Sequence, residues 1–369
     1  MILAHKIELQ CNNKQRTYFA KASGTARFAY NWALAQWKEQ YQTHKENSEN
    51  PKPTQGKLRK QLNAIKRTEF PWMLEVTKNA PQMAIIQLGE AFNRFFKGQA
   101  RYPTFKKKGV RDSFTITNDQ FRLDDSLKRI KIPNLGWVRL REVLRFKGKI
   151  ISATVSRQAD KWFVSISVET DDLTHLRPAE NQSNVGVDLG VKSLATLSNG
   201  EVVAGSKPLK MLLAKLKRQS RQLSRKQKGS ANRQKAKNNL AKLHARIANI
   251  RKDGLHKLTS DLTRRFDTIV IEDLNIRGML SNGKLSKSIA DMGFYEFRRQ
   301  LDYKSGFRGN LIFVADRWFP SSKTCSACGI VKQDLTLKDR VFKCECGHVQ
   351  DRDLNAAINL KHYVSTALP

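Results

Sequence analysis

The spacing of apolar residues changes period more than once along this chain. Residues 1–10 (MILAHKIELQ) alternate weakly and predict one strand. Over residues 14–45 the spacing becomes helical, with Phe19, Phe28, Trp32, Leu34 and Trp37 on an apolar stripe. Polar residues and prolines between Asn47 and Gly56 predict a loop. Helical spacing returns at Lys57–Lys66 and at Pro81–Phe96, where Met83, Ile86, Leu88, Phe92, Phe95 and Phe96 form the apolar set. The period then drops to two. Short β-like runs follow at Ser113–Thr117, Ile130–Ile132, Trp137–Arg141, Ile150–Ser156 and Trp162–Val168, punctuated by Pro133, Gly136 and Gly148. They predict a small β-barrel or sandwich. The aromatics Phe28, Tyr30, Trp32 and Trp37 could stack on bases, but at helical spacing they read as core.

Residues 171–184 are polar and acidic and read as a linker. Beyond them the pattern is α/β: strands at Val185–Leu189, Ser193–Leu197 and Glu201–Ala204, with Asn199-Gly200 signalling a two-residue hairpin. A long helical stretch runs from Pro208 to Phe266, broken near Gly229. Strands are expected at Thr268–Ile271 and Leu311–Val314, and a last helix at Leu354–Tyr363. There is no internal repeat.

Composition narrows the partner. Of 369 residues, 68 are Lys or Arg and 33 are Asp or Glu, a formal net charge of +35. A charge of that size selects a polyanion, nucleic acid before an anionic membrane surface. Hydrophobic residues at 40% are enough to build cores, which excludes a wholly disordered basic tail. No apolar run reaches the length of a membrane span, and the start lacks the apolar region of a signal peptide, so a cytosolic protein is expected. From Lys207 to Lys252 there are 16 Lys or Arg and no acid. Within that stretch Leu212, Leu216, Leu223, Leu240, Leu243, Ile247 and Ile250 recur at helical steps. A helical hairpin with one packed face and one cationic face follows, and Lys217, Arg218, Arg221 and Arg225 are candidate nucleic-acid contacts. Lys106, Lys107 and Lys108 in the basic stretch RYPTFKKK are others.

Four of the 5 cysteines cluster near the C-terminus as Cys325-x-x-Cys328 and Cys344-x-Cys346. In a reducing compartment this favours one structural Zn2+ held by four thiolates over disulfides. Gly329 permits the first turn. The second knuckle is one residue short, which leaves His348 as a substitute ligand. Cys11 stands alone and reads as a small buried residue.

Acids end several of the predicted elements. Asp188 closes VGVDLG, Glu272 and Asp273 close TIVIEDL, and Asp351 and Asp353 open the last helix. A strand, a hairpin, a helical insertion and a second strand parallel to the first is the order of an RNase H-like fold. In that layout Asp188, Glu272 and Asp353 converge and would hold two Mg2+ ions for phosphodiester hydrolysis. Leu354, Ala357 and Ile358 would face the sheet, and Asp351 could cap the helix. The opening hairpin also looks like that of actin-like ATPases and sugar kinases, but no second glycine-rich phosphate loop follows.

The segments VGVDLG, IVIEDL, SSKTCSACG and CECGHVQDRDLNAAINL resemble the TnpB family, as do GTARFAYNWAL, RYPTFKKKG and IKIPNLGWVRL nearer the N-terminus. The resemblance covers nearly the whole chain. It implies an RNA-guided DNA endonuclease of an insertion sequence, related to type V CRISPR nucleases, with RuvC catalytic acids at Asp188, Glu272 and Asp353. It implies a wedge β-barrel from residues 1–10 and 101–180, and a helical recognition domain at 11–100. A RuvC-like nuclease domain follows from 181–318 and 349–369, with a zinc-binding target-nucleic-acid-binding insertion at 319–348. The implied partners are a guide RNA from the transposon end and double-stranded target DNA with a short adjacent motif, bound by a monomer in the bacterial cytoplasm. Grip on a heteroduplex backbone agrees with so many cations. Two alternatives stay open: a guided DNA-binding regulator that does not cut, and a DNA transposase.

Overall fold

The computed structural model describes residues 1–171, 183–336 and 339–367, so the expected linker at 171–184 lies almost wholly outside the described residues. The chain divides into two compact units, Met1–Leu173 and Thr174–Pro369.

In the first unit, strand β1 (Ile2–Gln10) alternates exposed and buried positions, turning Leu3, Ile7 and Leu9 inward. It lies inside a seven-stranded sheet of order β2-β6-β7-β1-β5-β4-β3. The other strands are β2 (Ser113–Thr117), β3 (Arg122–Leu123), β4 (Arg129–Ile132), β5 (Gly136–Leu140), β6 (Lys149–Gln158) and β7 (Lys161–Glu169). β1 pairs antiparallel with β7 from Ile2↔Glu169 to Leu9↔Trp162, so the first ten residues are integral to a sheet otherwise made after residue 110. The two-residue β3 is too short to leave a periodic signal. Three helices accompany the sheet: α1 (Asn13–Glu46), α2 (Gln55–Ile65) and α3 (Asn79–Phe96). Asn12 starts α1 with a reciprocal capping box to Gln15.

The aromatic stripe of α1 is core, as its spacing predicts. Phe19 meets Phe114 and Trp162 on the sheet, and Trp37 stacks on Phe92 with ring centroids 4.2 Å apart. Helices and sheet share one hydrophobic core, which crosses the boundary expected near residue 100. On α3 the buried face is Ala84, Ile85, Leu88 and Phe92, whereas Phe96 is 62% exposed. Small Ala84 lets the helix approach, a contribution that apolar counting overlooks. Cys11 is half-buried against this core, donates to the Leu9 carbonyl, and burial pushes its thiol up to about 11.

The second unit is built on a five-stranded sheet of order β10-β9-β8-β11-β12. Its strands are β8 (Asn184–Asp188), β9 (Ala195–Leu197), β10 (Val202–Val203), β11 (Thr268–Glu272) and β12 (Leu311–Ala315). β8, β11 and β12 run parallel, and β9 and β10 are antiparallel additions. Inside the bonded pair Leu197–Glu201 the β9–β10 turn holds three residues, not the two read from Asn199-Gly200. Leu197 bonds to Glu201, and Ser198 is drawn into the loop by bonds to Gly186 on β8.

Helices α4 (Pro208–Ser224) and α5 (Ala231–Arg265) form the basic hairpin, broken at Gly229 as expected. Its packing is lopsided. Leu243 and Ile247 of α5 are buried, but Pro208 is the one buried residue of α4. The short helices α6 (Ile276–Ser281) and α7 (Ser286–Met292) lead into α8 (Phe294–Arg308). Asp291 of α7, 4% exposed, accepts from the Leu209 and Lys210 amides and pairs with Arg251 at 2.9 Å. It thereby caps α4 from a distance, because Lys207 offers no side-chain cap. A two-stranded hairpin, β13 (Val341–Lys343) and β14 (Val349–Asp351), precedes the final helix α9 (Arg352–Ala367).

α9 lies directly on β8. A Cβ on Gly186 would sit 2.0 Å from the Ala357 carbonyl oxygen, so only glycine allows this approach. The buried positions of α9 are Asn355, Ala356, Ala357, Asn359, Leu360 and Val364. Of the residues expected to pack, Ala357 is buried while Leu354 and Ile358 are only half-buried. Small Ala357 occupies the contact because backbone touches backbone there. No helix among the described residues is long and apolar enough to cross a membrane.

Candidate functional site

Asp188 ends β8 and Glu272 ends β11. Val187 stands opposite Ile271 in the parallel register, so the two acids follow one step later side by side. Gly186 and Asp188 share the strand face covered by α9. Asp353 lies in the first turn of that helix. Asp351 is consumed as its cap, accepting from the Asp353 and Leu354 amides at 2.9 and 3.1 Å. That leaves the Asp353 carboxylate for other work.

Asp188 feels the charge of the other two acids. Burial, and then the charges of Glu272 and Asp353, hold the Asp188 carboxyl well above the usual range, against an opposing pull from Arg352. Burial also raises Glu272, opposed by a hydrogen bond from Ser321 Oγ to its Oε1 and by Arg352. The adjacent Asp273 differs: Arg298 and Arg317 both pair with it. Two arginines offset the charge of Asp273, whereas among the described residues Asp353 has only Arg352 at 3.8 Å and Glu272 only the Ser321 hydroxyl.

The four cysteines meet at one point. Their sulfurs all lie within 4.8 Å of one another, and among the described residues no other set of His, Cys, Asp or Glu gathers in this way. A tetrahedral zinc with Zn–S near 2.3 Å needs sulfurs roughly 3.8 Å apart. Cys325 and Cys346 are separated by 3.7 Å, and Cys328 and Cys344 by 3.6 Å. The set therefore fits zinc, with four protein ligands and no open position. The short second knuckle closes because Gly347 adopts φ +88° and donates to the Cys344 carbonyl. His348 does not replace a cysteine. Its Nε2 contacts Ser326 Oγ and Gln350 Oε1 at 3.2 and 3.1 Å.

Sequence reading missed two asparagines. Asn355 Oδ1 accepts from the Ser326 amide and its Nδ2 donates to the Thr324 carbonyl, while Asn359 Nδ2 donates to the Ser321 and Thr324 carbonyls. Asparagine is a poor interior helix residue, and a repeat at i and i+4 on a buried face was the available signal.

Of the candidate phosphate contacts, Lys107, Lys108, Lys217, Arg218, Arg221 and Arg225 are exposed. Lys106 is exposed too, but its ammonium lies 3.8 Å from the centroid of the Tyr30 ring, and desolvation there lowers its pKa. Its backbone is pinned to the Asn31 amide. That geometry is a structural clamp on the RYPTFKKK segment.

A mixed sheet with acids at adjacent strand ends, a helix laid across it and a four-cysteine ribbon beside that helix defines a class of nucleic-acid protein. Comparison with known proteins agrees. A family model described as "Probable transposase" matches residues 163–283, and one described as "Cas12f1-like, TNB domain" matches 294–360. A third, described as "Helix-turn-helix domain", matches 1–46, where the structure has one strand and one 34-residue helix. A relative from Streptomyces pristinaespiralis named "Putative RNA-guided DNA endonuclease" is 37% identical, covering 97% of this chain and 88% of that protein. "Putative RNA-guided DNA endonuclease InsQ" of Escherichia coli K12 is 34% identical, over 97% of this chain and 91% of that protein. The solved structure of a Cas12f1–sgRNA–target DNA complex shares the fold, with TM-score 0.56, 14% identity and coverage of 94% of this chain and 83% of that one. The chain belongs to the TnpB family of transposon proteins.

Proposed function

We propose that this protein is an RNA-guided DNA endonuclease of an insertion sequence, cutting through the carboxylate cluster Asp188, Glu272 and Asp353. What supports this reading is that Asp188 and Glu272 end adjacent parallel strands, that Asp353 lies in the first turn of the helix over them, and that the charges of Glu272 and Asp353 help raise the Asp188 carboxyl. The sheet order and the parallel placement of β11 beside β8 support an RNase H-like core. Oxygen donors alone, without histidine, suit Mg2+. Two such ions, when bound, would supply an activated water and charge stabilisation of the leaving oxygen. The chain's own residues gather the carboxylates, keep Asp273 out of the cluster by pairing it with Arg298 and Arg317, and aim Asp353 by capping α9 with Asp351. The four cysteines hold one structural zinc. The names of the relatives support a guide RNA and a DNA target as partners. Residues 11–100 would serve as recognition lobe, and 1–10 with 101–180 as wedge. Residues 181–318 with 349–369 would form the nuclease domain, and 319–348 the zinc insertion.

Protein purified with its co-expressed transposon-end RNA tests this. Sequencing the bound RNA and adding matched DNA with Mg2+ should give cleavage that requires complementarity and disappears in Asp188→Ala. Binding without nicking would indicate the non-cleaving regulator, and activity that survives RNase treatment a DNA transposase.

A further inference from the structure

We propose that Ser321, Asn355 and Asn359 are positioning residues that tie Glu272 and Asp353 to the four-cysteine site, so that zinc loading of the ribbon sets the geometry of the carboxylate cluster. This rests on the reading of those acids as a divalent-cation site.

A helix face that packs on a sheet normally carries apolar side chains. α9 does so at Ala357, Leu360 and Val364, yet it also buries Asn355 at 0% and Asn359 at 6% exposure. Buried amides are costly unless bonded, and both are bonded to a single stretch of backbone. Asn355 grips the first zinc knuckle on either side of Cys325, taking the Ser326 amide at 3.0 Å and giving to the Thr324 carbonyl at 2.7 Å. Asn359 holds the approach to that knuckle through the Thr324 and Ser321 carbonyls at 2.6 and 2.8 Å. Ser321, 3% exposed, then turns its hydroxyl onto Glu272 Oε1.

Two arms therefore leave the ribbon. One passes from the backbone around Cys325 through Asn355 to Asp353, two residues earlier on the same helix. The other passes from Thr324 through Asn359 and Ser321 to Glu272. Arg352 reinforces the first arm, donating to the Thr336 and Asp339 carbonyls while lying 3.8 Å from Asp353. Asp188, at the end of β8, is touched by these arms only through the charge of Arg352. Metal ligands are oriented by partners of this kind, whose removal weakens metal binding by about 10–100-fold.

The test uses the full chain with its RNA and measures Mn2+ binding by electron paramagnetic resonance, counting the part of the binding that Asp188→Ala removes. Zinc content and thermal unfolding are followed in parallel. Ser321→Ala should keep one zinc per chain and an unchanged unfolding temperature, yet bind Mn2+ about tenfold more weakly, with recovery in Ser321→Thr. Asn355→Ala, and wild-type protein prepared without zinc, should lose Mn2+ affinity to at least the same degree. Unchanged Mn2+ affinity in both Ser321→Ala and zinc-free wild type would overturn the positioning role while leaving the acids as a cation site. If Asp188→Ala removes no Mn2+ binding at all, the reading of the acids falls, and this proposal with it.

Discussion

The four-cysteine ribbon and the proposed carboxylate site are assembled in opposite ways. The ribbon takes its four ligands from two turns within 22 residues, each closed by a glycine with positive φ and a local backbone bond. Its sulfurs stand at the spacing a single ion requires. The cluster takes three acids from three segments, brought together only by a sheet and a helix laid across it. There burial and mutual repulsion raise Asp188 and burial raises Glu272. A closed site of local ligands adds stability when filled. An open site of long-range ligands costs stability until cations offset its charge. Asp291 is the control within the same unit: it is buried more deeply, but Arg251 and two helix amides satisfy it.

The contrast can be broken by substitution. The largest effect expected is on cleavage: Asp188→Asn should lower the guided cutting rate by about 10³-fold or more, since metal-held charge stabilisation is worth several kcal/mol. The same variant should unfold at a higher temperature than wild type without divalent ions. A lower temperature would refute the claim that this cluster is strained by charge.

Asp291→Ala should do the reverse in stability. Leaving half-buried Arg251 without its partner, and α4 without its cap, should cost about 2–4 kcal/mol, read as a lower denaturation midpoint with faster amide exchange in α4. Zinc comes next. Elemental analysis should find one zinc per chain, and Cys325→Ser should release it and loosen the ribbon, with loss of amide protection from residue 321 onward. A metal content near zero would reject the site.

The smallest effect is the dependence on pH. Asp188 has a folded pKa raised above its unfolded value, so the native state binds more protons than the unfolded chain between the two. Stability without divalent ions should therefore rise as pH falls from neutral through the raised pKa, and level off below the unfolded value. Saturating Mg2+ should flatten that slope, because the bound cation replaces the proton. Calorimetric unfolding between pH 7 and 5 checks both statements, and Asp188→Asn should show less of the slope.

Much of this was legible in advance for physical reasons. Strand and helix periods are local, so β1, β2, α1, the basic hairpin and its break at Gly229 could be placed within a few residues. The cysteine pairs could be grouped because their spacing lies within two turns. The errors fall where one element meets another. Small residues carry the buried face of α3 at Ala84 and the contact of α9 with Gly186, and hydropathy gives them little weight. The β9–β10 loop takes a third residue because Ser198 bonds across to β8. His348 remained a candidate ligand until its ring was found against Ser326 and Gln350.

Sequence alone was enough to determine the chemistry available to this protein: a polycation with four clustered thiols and a few acids at element ends, because residue type and near-neighbour spacing are properties of the chain. Which of those acids face one another, that Asp273 is paired with two arginines while Glu272 beside it is not, and that two asparagines bind the ribbon to the helix bearing Asp353 were decided by tertiary structure. Charge coupling and buried hydrogen bonds depend on distance through space, and residues 188, 272 and 353 are close only after the sheet has formed and α9 has closed over it.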